Sequence, residues 1–171
     1  MKTIWIKFGI LFGIISIVWQ GLMYYLINIS IFSFTISFYI LIFLIMIFSG
    51  LSHRSGNGNI LSFGEAFRTT FFTGVFGTFI STVFTIVWVK YIDPDLVEVI
   101  VEKAVVSIQE MVNSLGTSDD NLTEAIEKIE QEMPKQFTFA GQVKAYLSGL
   151  IFIVVLASIA SVFIRKEEKI V

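Results

Sequence analysis

Apolar residues gather into four long stretches of this chain and thin out in one. Ile4 to Ile27, Ile31 to Leu51, Phe67 to Ile92 and Val143 to Ile164 each match the roughly 20 residues that a helix needs to cross a bilayer. Their few charges sit near the ends: Lys7 in the first, Arg68 and Lys90 in the third, Lys144 in the fourth and none in the second. Lipid offers backbone amides no partner, so such runs predict helices. Strands of a membrane barrel would instead alternate apolar and polar residues over about 10 positions. Ile31 to Phe38 does alternate with Ser and Thr, yet its uncharged continuation to Phe48 favours a helix. Asn28-Ile29-Ser30 leaves room only for a tight helical hairpin. The first run has a basic start, Lys2 and Lys7, as a signal peptide does. It exceeds the usual 7–15 apolar residues or so and no small-x-small site follows, so a retained span is expected.

Residues 93 to 136 carry a different pattern. Val97, Ile100, Val101, Ala104, Ile108, Met111, Val112 and Leu115 recur at helical spacing. Asp93-Pro94 predicts the N-cap and first position of that helix. Gly116 suits its C-terminal cap. Thr117 or Ser118 suits the next N-cap, with Asp119 and Asp120 at the positive end of the helix dipole. Leu122, Ala125, Ile126, Ile129 and Met133 form a second stripe, which Pro134 is expected to stop. Glu124 and Lys128 form a favourable i,i+4 pair. An antiparallel two-helix hairpin over about 94–134 follows. Leu96, Val99, Val105 and Val106 exceed what one stripe needs. The polar face is acidic, so a protein partner or self-association suits that surplus better than anionic lipid.

Composition agrees with a membrane protein. Of 171 residues, 55% are hydrophobic and 15% charged, against about 25% charged in a soluble domain. No cysteine means no disulfide, thiolate site or thiol nucleophile, and one histidine, His53, leaves too few ligands for zinc. A net charge of −2 gives no field for nucleic acid. With four spans, Lys2, Lys7, Arg54, Arg68, Arg165, Lys166 and Lys169 share one side in short segments. The other five lysines are spread over residues 90 to 144 among eleven acidic residues. The positive-inside rule then puts both termini in the cytoplasm and residues 93–136 outside.

The spans carry small and polar residues on shared faces. These are Gly9, Gly13, Ser16 and Gln20 in the first and Gly74, Gly77, Thr78, Ser81 and Thr85 in the third. The fourth has Gly141, Ala145, Gly149, Ala157 and Ser161. Such spacing lets helix backbones approach and hydroxyls bond across the contact. Gln20, the most polar residue deep in a span, is expected to bond between helices. No span holds a charge near its middle, as ion-coupled pumps usually do. Gly56-Asn57-Gly58-Asn59 lacks the Lys-Ser/Thr pair of a phosphate loop and reads as a turn. Glu65 and Arg68 are placed for a local salt bridge, and His53 has no evident catalytic partner. Glu98 and Glu102 lack the spacing of a calcium loop. Asn28-Ile29-Ser30 and Asn121-Leu122-Thr123 match a glycosylation tripeptide that is common by chance. No catalytic, cofactor-binding or metal residue is therefore assigned.

Ile60-Leu61-Ser62-Phe63-Gly64-Glu65-Ala66-Phe67-Arg68, followed by the third span and Tyr91-Ile92-Asp93-Pro94-Asp95-Leu96, resembles a family of short bacterial membrane proteins. This is the domain-of-unknown-function family 4199, common in Bacteroidota. The resemblance covers nearly the whole chain and implies a bacterial inner-membrane location, but no activity or site residue. Physically, Ser62 and Glu65 fit a capping box that starts the third span, and Gly64 would permit a close helix contact.

The expected fold is an all-α integral membrane protein with four spans and an extramembrane hairpin between spans three and four. The leading expectation for function is a non-enzymatic scaffold or interaction subunit. The alternative is a small oligomeric channel or transporter subunit. A lipid-acting enzyme built on His53 and Glu65 ranks third.

Overall fold

The computed structural model describes residues 2–25, 31–115 and 119–166. They form six α-helices: α1 (Lys2–Tyr25), α2 (Ile31–Gly56), α3 (Phe63–Val87), α4 (Leu96–Leu115), α5 (Asp119–Gln136) and α6 (Phe139–Ile164). A π-helical turn, Trp88–Ile92, extends α3. Four segments are long and apolar enough to cross a membrane: Thr3–Leu22, Thr35–Gly56, Phe63–Ile92 and Phe139–Ile164. At about 1.5 Å per residue the 26 residues of α6 reach about 39 Å, beyond the ~30 Å hydrocarbon thickness.

Helix α3 is the hub. It packs most extensively on α1, then on α6 and α2. Phe76 lies on Gly9 and Ile80 on Gly13, so the pairs advance together and α1 runs parallel to α3. Ser49 meets Thr73 and His53 meets Thr69, so α2 is antiparallel to it. Thr70 meets Ser161 and Ile153 lies on Gly74, so α6 is antiparallel too. The small residues of α1 and α3 thus act as expected, as seats for large side chains of the facing helix. Phe12, Ile42, Ile45, Met46, Ile153 and Ala157 fill the middle of the bundle.

The outside of this bundle is apolar. Ile10, Ile14 and Val18 of α1, Ile40, Leu44 and Phe48 of α2, and Leu147, Ile151, Val155 and Phe163 of α6 are all exposed. Ser16, Gln20, Ser49, His53, Thr69, Thr70, Thr73, Ser81 and Ser161 are buried. Water would drive the opposite sorting.

The two ends of the bundle are built differently. At the end holding the α2–α3 loop, Leu61 and Lys166 exchange backbone hydrogen bonds of 2.9 Å in both directions. Arg54 Nη1 donates to the Ile164 carbonyl at 3.0 Å, which the end of α6 leaves open. Leu61, Ala66, Ala160 and Ile164 close this end, with Gly50 seated under Ile164. At the other end Trp88, Leu96 and Ile100 form a cluster with Phe84, Val89, Met133 and Phe137. There α4 and α5 pack on each other, and α4 also touches α2.

Several local expectations are corrected. The expected Ser62–Glu65 capping box does form and starts α3 at Phe63, one turn before the apolar run at Phe67. The Glu65 carboxylate accepts from Ser62 at 2.8 Å instead of pairing with Arg68. Gly64 faces open space and makes no close contact. Helix α4 begins at Leu96, because Val99 N–H reaches the Asp95 carbonyl while Asp93 closes the π turn onto Trp88. Pro134 does not stop α5, which runs on to Gln136. Near a helix end the missing N–H costs one bond only, and the next two amides, of Phe137 and Thr138, turn back to the carbonyls of Pro134 and Lys135. Thr138 then caps α6, which starts at Phe139, one turn before the apolar run that opens at Val143. α2 runs to Gly56 rather than Leu51. Among the described residues the ion pair is Lys135–Glu132 at 2.6 Å, not Glu124–Lys128. It holds the exposed Glu132 carboxyl below its ordinary range. Met111 is exposed rather than part of the packed stripe of α4. Gly116, Thr117, Ser118 and the Asn28 tripeptide lie outside the described residues.

Gly77 and Gly64 separate packing from helix propensity. A Cβ on Gly77 would run into the Phe12 ring, whereas one on Gly64 meets nothing. Gly77→Ala is expected to destabilise the protein by about 1–3 kcal/mol through overpacking. Gly64→Ala should stabilise it by about 0.4–1 kcal/mol. Thermal unfolding in detergent micelles measures both.

Candidate functional site

Threonine on a helix in apolar surroundings can send its hydroxyl proton to the carbonyl four residues back. Five of the six threonines on α3 do so: Thr69 to Glu65, Thr70 to Ala66, Thr73 to Thr69, Thr78 to Gly74 and Thr85 to Ser81, all at 2.8–3.0 Å. Their oxygens remain able to accept from neighbouring helices. The polar seam that results ties α3 to each partner.

Toward the α2–α3 loop the seam is closed. Ser49 and Thr73 share a hydrogen bond of 2.7 Å, and Thr70 and Ser161 one of 3.3 Å. His53, 6% exposed, sets Nδ1 2.7 Å from Thr69 Oγ1. Thr69 gives its proton to the Glu65 carbonyl, so His53 Nδ1 carries the hydrogen of that contact. The histidine therefore has a partner that spacing did not reveal, and the partner is a structural hydroxyl.

Toward the α4–α5 end the seam opens into a cavity of about 340 Å³. Gln20 stands at one side, with its amide engaged at both ends. Its Nε2 donates to Ser81 Oγ at 2.7 Å, and its Oε1 accepts from Thr85 at 2.9 Å. The expected interhelical bonding of Gln20 is thus present, between α1 and α3. Thr78, Thr82, Gln142 and Tyr146 complete the polar lining, and Phe38, Tyr39, Ile42 and Phe137 supply apolar walls. Tyr146 directs its hydroxyl to the Val75 carbonyl at 3.3 Å, and Gln142 Nε2 donates to the Gln136 carbonyl at 3.0 Å. Among the described residues no Asp, Glu, Lys, Arg or His lines the cavity. Among the described residues no group of three His, Cys, Asp or Glu could hold a metal ion.

Two features were not legible in the spacing. Ala145 and Gly149 share the four-residue spacing of helix seams, yet a Cβ on Gly149 would meet nothing within 4 Å. Both line the cavity, so on this half of α6 small residues make room instead of bringing helices together. Thr82 is the one α3 threonine without a back-bond, and among the described residues its hydroxyl has no hydrogen-bond partner. Its departure from the habit of its neighbours leaves one free donor on the cavity wall. The signal available was the density of hydroxyls between Thr78 and Thr85 opposite Gln20. A count of shared faces cannot tell a filled seam from an open one.

The two kinds of polar residue should respond differently to mutation. Gln20→Leu removes two interhelical bonds at roughly 0.6 kcal/mol each, a loss of about 1 kcal/mol. Thr82→Val removes no bond and should shift stability by less than about 0.5 kcal/mol. Unfolding by sodium dodecyl sulfate in mixed micelles reports both.

Neither a curated protein nor a solved structure gives a significant match to the chain. The family model described as "Protein of unknown function (DUF4199)" matches residues 7–166. With nearly its whole length inside that match, and with the long apolar helices already described, the chain belongs to the DUF4199 family.

Proposed function

We propose that this is a multi-pass membrane protein whose bundle binds a small uncharged solute, as a subunit of the channel or transporter class. The observation that carries the reading is the cavity: hydroxyls and carboxamides face an apolar wall, and no charged side chain among the described residues lines it. Burying a bare charge there would cost several kcal/mol or more, so the lining selects neutral molecules. The reading takes α1, α2, α3 and α6 as spans. The apolar exterior and polar interior of the bundle support it. On this reading the chain sits in a bacterial inner membrane, and the lysine and arginine bias supports a cytoplasmic α2–α3 loop and termini, with the α4–α5 hairpin outside. The cavity then faces outward and is closed inward by the packed middle of the bundle.

The absence of native cysteine makes the test direct. Thr82→Cys in native membranes should react with the uncharged reagent methyl methanethiosulfonate far faster than Ser49→Cys in the closed seam. Adding Gly149→Leu should suppress the reaction. Equal rates at positions 82 and 49 would overturn the reading.

A second reading, a non-enzymatic scaffold or interaction subunit, is favoured by one observation. Val99 and Val106 lie seven residues apart on one face of α4 and are 40% and 46% exposed. On that reading, Gln131→Cys on the exposed face of α5, treated in spheroplasts with an impermeant photoactivatable maleimide, captures a discrete partner or a second copy. Val99→Glu with Val106→Glu abolishes the capture. Labelling only after lysis would reverse the orientation.

A further inference from the structure

We propose that the cavity receives the head of a single-chain, uncharged amphiphile from the outer leaflet, with Thr82 and Gln20 bonding its hydroxyl or carbonyl. The proposal rests on the preceding reading of the cavity as a solute site and names the class of solute.

Three observations narrow the class. The first is size. About 340 Å³ sits at the lower end of ordinary ligand pockets, enough for a small head and the first part of a chain but not for a two-tailed phospholipid. The second is where the cavity opens. Tyr39 and Phe152 bring α2 and α6 together, with ring centroids 5.6 Å apart. On the α4–α5 side of that pair the small residues Ala145 and Gly149 line the cavity beside Gln142 and Tyr146, and Ala145 is itself exposed. The mouth therefore lies on a flank that otherwise carries Leu147, Ile151 and Phe152, a lipid-facing surface. An apolar tail can stay in that surface while the head enters. A freely water-soluble solute would have to cross it.

The third observation is hydrogen-bonding capacity. Gln20 Nε2 spends one hydrogen on Ser81, and its Oε1 accepts one bond from Thr85, which leaves one donor and one lone pair. Thr82 keeps its whole hydroxyl. A guest hydroxyl or carbonyl can satisfy these groups, whereas a phosphate would bring charge with no cation to meet it. Above, Phe137 belongs both to the cavity wall and to the cluster of Trp88, Leu96, Ile100 and Met133. The head would therefore lie directly beneath the root of α4 and α5.

The test uses the full chain in lipid nanodiscs. The probe is a monoacylglycerol with a diazirine near the head of its acyl chain, compared with the same chain bearing a phosphate on the glycerol. The neutral probe is expected to label peptides of α3 and α6 around Thr82 and Tyr146. Gly149→Leu, or Ala145→Leu as a second way to fill the mouth, should reduce labelling about ten-fold or more, as occlusion requires. Thr82→Val should reduce it several-fold, and the phosphate probe should label about ten-fold less than the neutral one. Equal labelling by both probes, or labelling indifferent to both filling variants, overturns the proposal. If the neutral probe fails while Thr82→Cys still reacts in a Gly149-dependent way, the amphiphile is wrong and the solute cavity stands. If both fail, both readings fall.

Discussion

Everything in this fold depends on how α3 deals with its hydroxyls in surroundings that offer no water. An unmade hydrogen bond is costly there, and a bond made to the helix's own backbone needs no neighbour. Five threonines take that solution; Thr69, Thr70 and Thr73 then use their remaining acceptor capacity to hold other helices, while Thr85 shares its one proton between the Ser81 carbonyl and Gln20 Oε1. Thr69 and Thr73 hold α2, Thr70 holds α6 and Thr85 holds α1. Each such contact is worth only about 0.6 kcal/mol on average. Their value is in fixing rotation. A helix that is apolar all round can turn about its axis at little cost, but a helix whose threonines must meet Ser49, Ser161 and Gln20 at set heights cannot.

The unequal ends follow from where these bonds are supplemented. Toward the α2–α3 loop, the Arg54 bond to the end of α6 and the Leu61–Lys166 pairing add backbone-level ties. Gly50 lets Ile164 close in beneath them. Toward the other end the comparable tie is the longer Tyr146 bond to the Val75 carbonyl, and α6 carries Ala145 and Gly149 on the cavity wall. The helices are therefore held together at one end and kept apart at the other. The π turn at Trp88–Ile92 helps, because its wider winding carries Trp88 inward onto Leu96 and Ile100. That aromatic cluster covers the open end without filling it.

Much of this was legible in the residues, and the rest was hidden for identifiable reasons. Long apolar runs announced four helices because length and hydropathy are properties of a segment alone. The Ser62–Glu65 box was legible because both partners lie within one turn. Gln20 was legible as an interhelical donor because a lone carboxamide deep in an apolar span bonds most often across a helix contact. What failed were choices between competing partners. Glu65 could have taken Arg68 or Ser62, and took the one already engaged in the cap. Asp93 and Asp95 could each have opened α4, and the extra residue of the π turn moved the start to the second. Gly9, Gly13, Gly77 and Gly149 obey the same spacing, yet three seat a side chain and the fourth seats none. Spacing defines a face. Whether anything lies opposite depends on the neighbouring helix.

Thr82 is where such a distinction bears on the proposed solute site. Its sequence neighbours Thr78 and Thr85 are the same residue type on the same helix; Thr78 spends its proton on the Gly74 carbonyl, and Thr85 divides its own between Ser81 and Gln20. A threonine that did likewise at position 82 would offer the cavity an acceptor only. Without the back-bond it offers a donor as well, beside an amide that can give one and receive one. The wall therefore presents a complete set of complementary polar groups within an otherwise apolar space. A cavity meant only to be empty would be better lined by methyl groups, since an unpaired hydroxyl in it costs stability with no return. The arrangement makes physical sense if the missing partner comes from outside the chain.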